Sequence, residues 1–285
     1  MFTPYSFLFI SLYFLLLSSL LFISNFYLFW IVIELCMLLF MGFCFSTFCS
    51  GISRLIIYFL VQTVSSFSIF LFYALNSPFL FSLFLVFKLS MFPFHSWFLS
   101  VVYTFSNFGL FLVSSLHKVP SFLLLIFFPS LLTLSIFIVS SLFSVLMSCS
   151  LMLFTSDFRS LVLASSVGNN GWFFFSSYSL HVFLSFFVVY CFSLLFVLAY
   201  LPNRNFYVSF SNPKIVIGFL LSLVSLSGFP PFPLFFLKLI TVYYMSAYVP
   251  FFFIFVFLVF SSFLLGGYFR FLFSFVLFSF SFFVC

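Results

Sequence analysis

Apolar stretches of about 20 residues recur along the whole chain, separated by short polar punctuation. Read by that pattern alone, the sequence predicts spans at 5–24, 26–48, 54–76, 78–105, 107–128, 130–154, 158–179, 180–201, 213–246 and 249–276. A bilayer core of ~30 Å needs ~20 helical residues at 1.5 Å each. The expectation is therefore an all-α polytopic membrane bundle of about 10 transmembrane helices, within a range of 9–11. A membrane barrel is excluded, because barrel strands alternate apolar and polar residues and these runs do not. The connections are short enough to make sequential helices antiparallel. The whole chain, 1–285, reads as a single transmembrane domain with no soluble domain. The last nine residues, Leu277 to Cys285, look too short to cross and are expected along an edge.

Two of the spans are too long for one straight helix and contain proline. In 78–105 the sequence is KLSMFPFHSWF around Pro93. In 213–246 it is LSGFPPFPLFFLK, with Gly228, Pro230, Pro231 and Pro233. Proline removes a helix hydrogen bond and clashes with the preceding turn. Broken backbone at membrane depth is tolerated only against protein or a water-filled cavity, and such discontinuous helices mark transport paths. Pro93 alone is explained by a packing kink. Four breakers within six residues, next to a lysine, point to function.

Composition sharpens this picture. Of the 285 residues, 66% are hydrophobic and 4% charged, so no soluble enzyme, disordered tail or coiled coil fits. The eight basic residues are scattered singly, which argues against a nucleic-acid partner despite a net charge of +6. The 62 Phe are more than packing in lipid requires; T-rich codons explain them, and point to a small organellar genome. The first 21 residues carry neither Lys nor Arg, so they show no signal or transit peptide. Six Cys form no CxxC pair and lie at no ligand spacing from a His, so no metal, haem or iron–sulfur cluster is expected. No glycine-rich strand–helix turn offers a nucleotide site, and the expectation is no cofactor in this chain.

The few charges inside apolar runs stand out. Glu34 lies mid-span in FWIVIELCMLLF, where a carboxylate costs about 2.5–3.5 kcal/mol and must pair, protonate or line a polar cavity. Lys88 precedes Pro93. Lys118 sits at the centre of 107–128, read either as buried in one span or as a loop lysine between two short helices. Lys238 follows the four breakers by a turn. Against Lys88 and Lys238 stands the alternative of snorkelling to the interface. His95 follows the Pro93 break and His117 adjoins Lys118, which makes both lesser candidates for a proton path; His181 opens a span at its interface. Asp157 is placed to cap the helix that follows it. Burial disfavours a charged amine, so a row of such amines can pass protons.

Four motifs carry a family resemblance. KLSMFPFHSWF (88–98) is similar to K-x-x-x-x-P-F-H-x-W, and HKVP (117–120) to K-x-P. FRSLVLASSVGNNGW (158–172) is similar to L-R-K-x-x-A-Y-S-S-x-x-x-x-G-W, and LSGFPPFPLFFLK (226–238) to L-G-G-x-P-P-x-x-G-F-x-x-K. In this order, with Glu34 ahead of them, they resemble the chain 2 family of mitochondrial NADH:ubiquinone oxidoreductase (respiratory complex I), in a nematode-like version. Ser160, Ala164, Asn169, Leu234 and Leu99-Ser100 depart from the family pattern.

The resemblance implies the antiporter-like fold, in the animal form lacking three amino-terminal helices, with discontinuous helices at 78–105 and 213–246. It implies proton translocation across the mitochondrial inner membrane, coupled to NADH-to-ubiquinone electron transfer elsewhere in the complex. The partners implied are other membrane-arm subunits of complex I and the lipid bilayer, with nothing bound directly but protons and water. By residue, Glu34 would pair with Lys88, Lys118 would be the central relay and Lys238 the terminal one. Two other readings remain open from sequence: a free-standing secondary antiporter or solute carrier, and a structural subunit whose charges are frozen in pairs.

Overall fold

A computed structural model describes residues 4–47, 52–155, 157–200 and 213–283, and all the regular elements among them are helical. The helices are α1 (Pro4–Ser19), α2 (Phe26–Thr47), α3 (Ile52–Ala74), α4 (Pro78–Lys88), α5 (Ser96–Val102), α6 (Asn107–Ser114) and α7 (Val119–Phe127). They continue with α8 (Leu134–Phe154), α9 (Phe158–Ser176), α10 (Leu180–Ala199), α11 (Pro213–Ser227), α12 (Pro233–Tyr248) and α13 (Phe251–Phe283). Short 3₁₀ turns lie at Leu20–Phe22, Leu116–Lys118 and Pro129–Leu131.

Each of the ten predicted spans is present as one helix or as a pair of half-helices. Six segments are long and apolar enough to cross a membrane by themselves: Phe26–Ser46, Ile52–Ala74, Asn107–Phe127, Leu134–Phe154, Leu180–Ala199 and Phe251–Phe273. The others are short, broken or, like α9, rich in Ser, Asn and Gly. Phe7, Phe22, Phe154 and Phe251 are each more than 70% exposed, as expected of side chains whose solvent is lipid.

The predicted breaks occur, and their local causes differ. α4 stops at Lys88 because Ser90 adopts a left-handed backbone (φ 53°). The Met91 N–H then reaches the Val86 carbonyl at 3.1 Å and the Ser90 N–H reaches Phe87 at 3.1 Å. That pair of bonds is a Schellman stop, and Pro93 only prevents the helix from resuming. α11 ends at Ser227, followed by Gly228 in a left-handed backbone (φ 73°), and α12 restarts at Pro233.

Three expectations need correction. The span 107–128 is not one helix: it breaks at Ser115 (φ −119°, ψ −84°) and passes through a 3₁₀ turn that holds His117 and Lys118. Residues 277–283 do not run along an edge but prolong α13, which has 33 residues. Asp157 occupies the N-cap position of α9 without a side-chain capping bond. The polar stretch at 202–212 lies outside the described residues.

The helices form two compact units, Met1–Ser140 and Ser141–Cys285. In the first, aromatic contacts join the helices: Phe26 stacks on Tyr73 with ring centroids 3.6 Å apart, and the Trp30 indole donates to the Ser66 carbonyl at 3.0 Å. In the second, α9 is buried almost along its whole length, and its small residues let neighbours approach. A Cβ on Gly171 would lie 3.1 Å from the Ser141 carbonyl, 3.1 Å from Val145 and 3.2 Å from Phe257. Gly171→Leu should therefore destabilise this unit by about 1–3 kcal/mol through overpacking. Reduced yield and a lower unfolding midpoint of the purified protein would register it.

Candidate functional site

The first unit has its buried charges where helices stop. Lys88 is the last residue of α4, so its ammonium belongs to the end where carbonyls lack intrahelical partners and the helix dipole is negative. Gln62, from α3, donates its side-chain amide to the Lys88 carbonyl at 3.5 Å. Lys118 lies at the junction of the 3₁₀ turn and α7, with its N–H bonded to the Ser115 carbonyl at 3.0 Å. Its Nζ stands 4.9 Å from the centre of the Phe98 ring, a cation–π distance. Lys88, His117 and Lys118 are each less than 10% exposed, so none of them snorkels out of the protein.

Lys88, His117 and Lys118 share the wall of one small void with Tyr58, Gln62, Ser90, Trp97, Phe98 and Val113. Its volume is about 10 Å³. A single water needs about that much. Three polar atoms of the wall residues, Tyr58 Oη, Gln62 Oε1 and Trp97 Nε1, are buried without a hydrogen-bond partner. Sequence reasoning missed these three residues. Gln62 carried a signal, as the one Gln in the chain set in an apolar run.

Glu34, on α2, is half-buried, and its Oε1 has no hydrogen-bond partner. It lies near enough for its charge to act on Lys88, while among the described residues no ion pair within 4.0 Å joins the two. His117 is packed among rings: Tyr13 stacks on it at 6.4 Å, and Phe40 and Tyr58 lie 5.2 and 5.7 Å away. His95 is not among the residues that line the void; it starts α5, half-buried, and stacks on Phe92.

The second unit carries Lys238 on α12, part-buried and beside the end of α11. Its Nζ donates to the Ser227 carbonyl at 3.0 Å, the carbonyl of the last residue of α11. The Trp172 ring of α9 lies 5.4 Å away from the amine. Gly228 makes this contact possible, since a Cβ there would sit 2.8 Å from the Lys238 Nζ. Among the described residues no three His, Cys, Asp or Glu gather as a metal site would require.

Gly228→Ala should therefore cost about 1–2 kcal/mol from the left-handed backbone alone, and push the Lys238 amine off the Ser227 carbonyl. The thermal midpoint of the protein should fall. Gly266→Ala, where a Cβ would meet nothing within 4 Å, should leave it unchanged.

Comparison with known proteins places this arrangement. No family model matches the chain. It is 30% identical over 252 residues to NADH-ubiquinone oxidoreductase chain 2 of Albinaria caerulea, a match covering 84% of this chain and 78% of that one. Its fold matches a chain of respiratory complex I from Thermus thermophilus (TM-score 0.74, 17% identity, 85% of this chain and 64% of that one). It also matches a chain of the Mrp complex from Dietzia sp. (TM-score 0.66, 17% identity, 85% and 55%). A chain of the archaeal membrane-bound sulfane sulfur reductase matches as well (TM-score 0.67, 13% identity, 85% and 60%). The chain thus spans less than two thirds of these structural relatives, and what it shares with them is the antiporter-like helix bundle. With that fold, and with identity of this extent to one curated relative, the chain is a multi-pass membrane protein that belongs to the NADH-ubiquinone oxidoreductase chain 2 family.

Proposed function

We propose that this chain is a proton-translocating membrane subunit of respiratory complex I in the mitochondrial inner membrane, encoded in the mitochondrial genome. It has no redox centre or cofactor of its own. Other membrane-arm subunits supply the coupling to electron transfer between NADH and ubiquinone. The observation that carries this reading is that three lysines sit at three helix interruptions, two of them on one void with His117.

Glu34, Lys88 and Lys118 form the relay of the first unit. A carboxylate near an amine favours the protonated amine, and any movement that separates them lets the proton go. The void between Lys88 and Lys118 has room for about one water, and that water carries the proton between the two amines. Tyr58, Gln62 and Trp97 hold it. Lys238 is the relay of the second unit, with the Ser227 carbonyl stabilising its charged form and the Trp172 ring covering the amine. His117 takes part beside Lys118, and His95 is the lesser member.

A relay amine must release its proton, whereas a guanidinium stays charged. Lys118→Arg and Lys238→Arg should each keep the complex assembled while lowering proton pumping per electron by about tenfold or more. The measurement is pumping stoichiometry in vesicles containing the assembled complex. Parental pumping in both variants would mean that neither lysine has to lose its proton, and would sink the relay.

A further inference from the structure

Tyr13 of α1 meets His117 across 104 residues of sequence, with its hydroxyl 3.4 Å from Nδ1 and the rings nearly parallel at 12°. Tyr13 is 3% exposed and His117 is 9% exposed. Two arrangements of the shared hydrogen are conceivable. If Nδ1 donated to the phenol oxygen, the phenol's own proton would be buried with no acceptor, because the hydroxyl has no other hydrogen-bond partner among the described residues. A buried donor left unmade is the costlier choice. If the phenol donates to Nδ1, both groups are satisfied, and the imidazole proton is on Nε2.

We infer that Tyr13 is a positioning residue: it fixes His117 as the Nε2–H tautomer, so that this ring presents a fixed donor to the void between Lys88 and Lys118. This rests on the relay proposed above and adds α1 to it. Nε2 has no partner among the described residues, while Nδ1 is taken up by Tyr13, which is not among the residues that line the void. A donor at the void wall orients the lone pair of a water, or of an amine that has given up its proton. His117 then acts as a donor of constant polarity rather than as a carrier that loads and unloads. Phe40 and Tyr58, packed against the same ring, keep it from turning over.

The test uses amide mimics of the two ring nitrogens in the assembled complex. Gln places an N–H where Nε2 is, and Asn places one where Nδ1 is. Tyr13→Phe keeps the stacked ring and removes the phenol proton. Pumping per electron should fall about two- to tenfold in Tyr13→Phe, the worth of one hydrogen bond, with NADH–ubiquinone turnover and assembly retained. His117→Gln should pump better than His117→Asn, and Tyr13→Phe added to it should cause no further loss. His117→Asn should be as poor as Tyr13→Phe. Parental pumping in Tyr13→Phe overturns the inference, as does an equal loss from Tyr13→Phe in the His117→Gln background, which would mark a packing role. Should Tyr13→Phe fail to assemble, the mimics decide: good pumping by His117→Asn with poor pumping by His117→Gln overturns it. Lys118→Arg separates the two readings. If that variant pumps normally, the relay of the first unit is wrong; if it fails while Tyr13→Phe pumps normally, only the role of Tyr13 is wrong.

Discussion

A helix that stops inside an apolar medium leaves carbonyls that water would otherwise satisfy, and an amine inside the same medium lacks counter-charge. This chain solves both problems with one arrangement. Lys88 ends α4, Lys238 bonds the last carbonyl of α11, and Lys118 sits at the turn that divides α6 from α7. The interruptions make the lysines tolerable, and the lysines make the interruptions tolerable. A carboxylate can then be spared from permanent ion pairing. Among the described residues Glu34 and Lys88 form no ion pair within 4.0 Å.

The surroundings are organised around these ends. In the first unit, aromatic rings and polar side chains share with Lys88 and Lys118 the wall of a void of about 10 Å³. In the second, the absence of a side chain at Gly228 is what lets the lysine fold back over its own break. Bulk elsewhere is nearly interchangeable. Leu and Phe dominate the exposed positions, and there one apolar residue can replace another. Gly171 and Gly228, closely approached by their neighbours, have no such freedom.

Much of the fold could be read along the chain, because a run of 20 apolar residues means the same thing anywhere. The proline-marked breaks at Pro93 and Pro230–Pro233 were legible for a similar reason. The third break was not. Pro120 falls at the start of α7, where proline is at home, and the stop itself is set by Ser115, a residue with no strong local preference. Likewise Ser90, not Pro93, ends α4. Glu34 and the three lysines announced themselves by charge. Tyr13, Tyr58 and Trp97 did not, since among 79 aromatic positions (62 Phe, 14 Tyr and 3 Trp) a ring near a lysine has no distinguishing mark until the chain is folded. Asp157 shows the converse: a residue type suited to capping, in the right place, that makes no cap.

The length of α13 has a mechanical meaning. Thirty-three residues extend about 50 Å, against a hydrocarbon thickness of ~30 Å. A typical tilt of ~20° shortens the projection by only a few ångströms. The two ends of this helix together must then stand clear of the acyl chains by about three turns. It is a lever longer than the membrane is deep, and a small swing at the depth of α9 becomes a larger displacement at its tip.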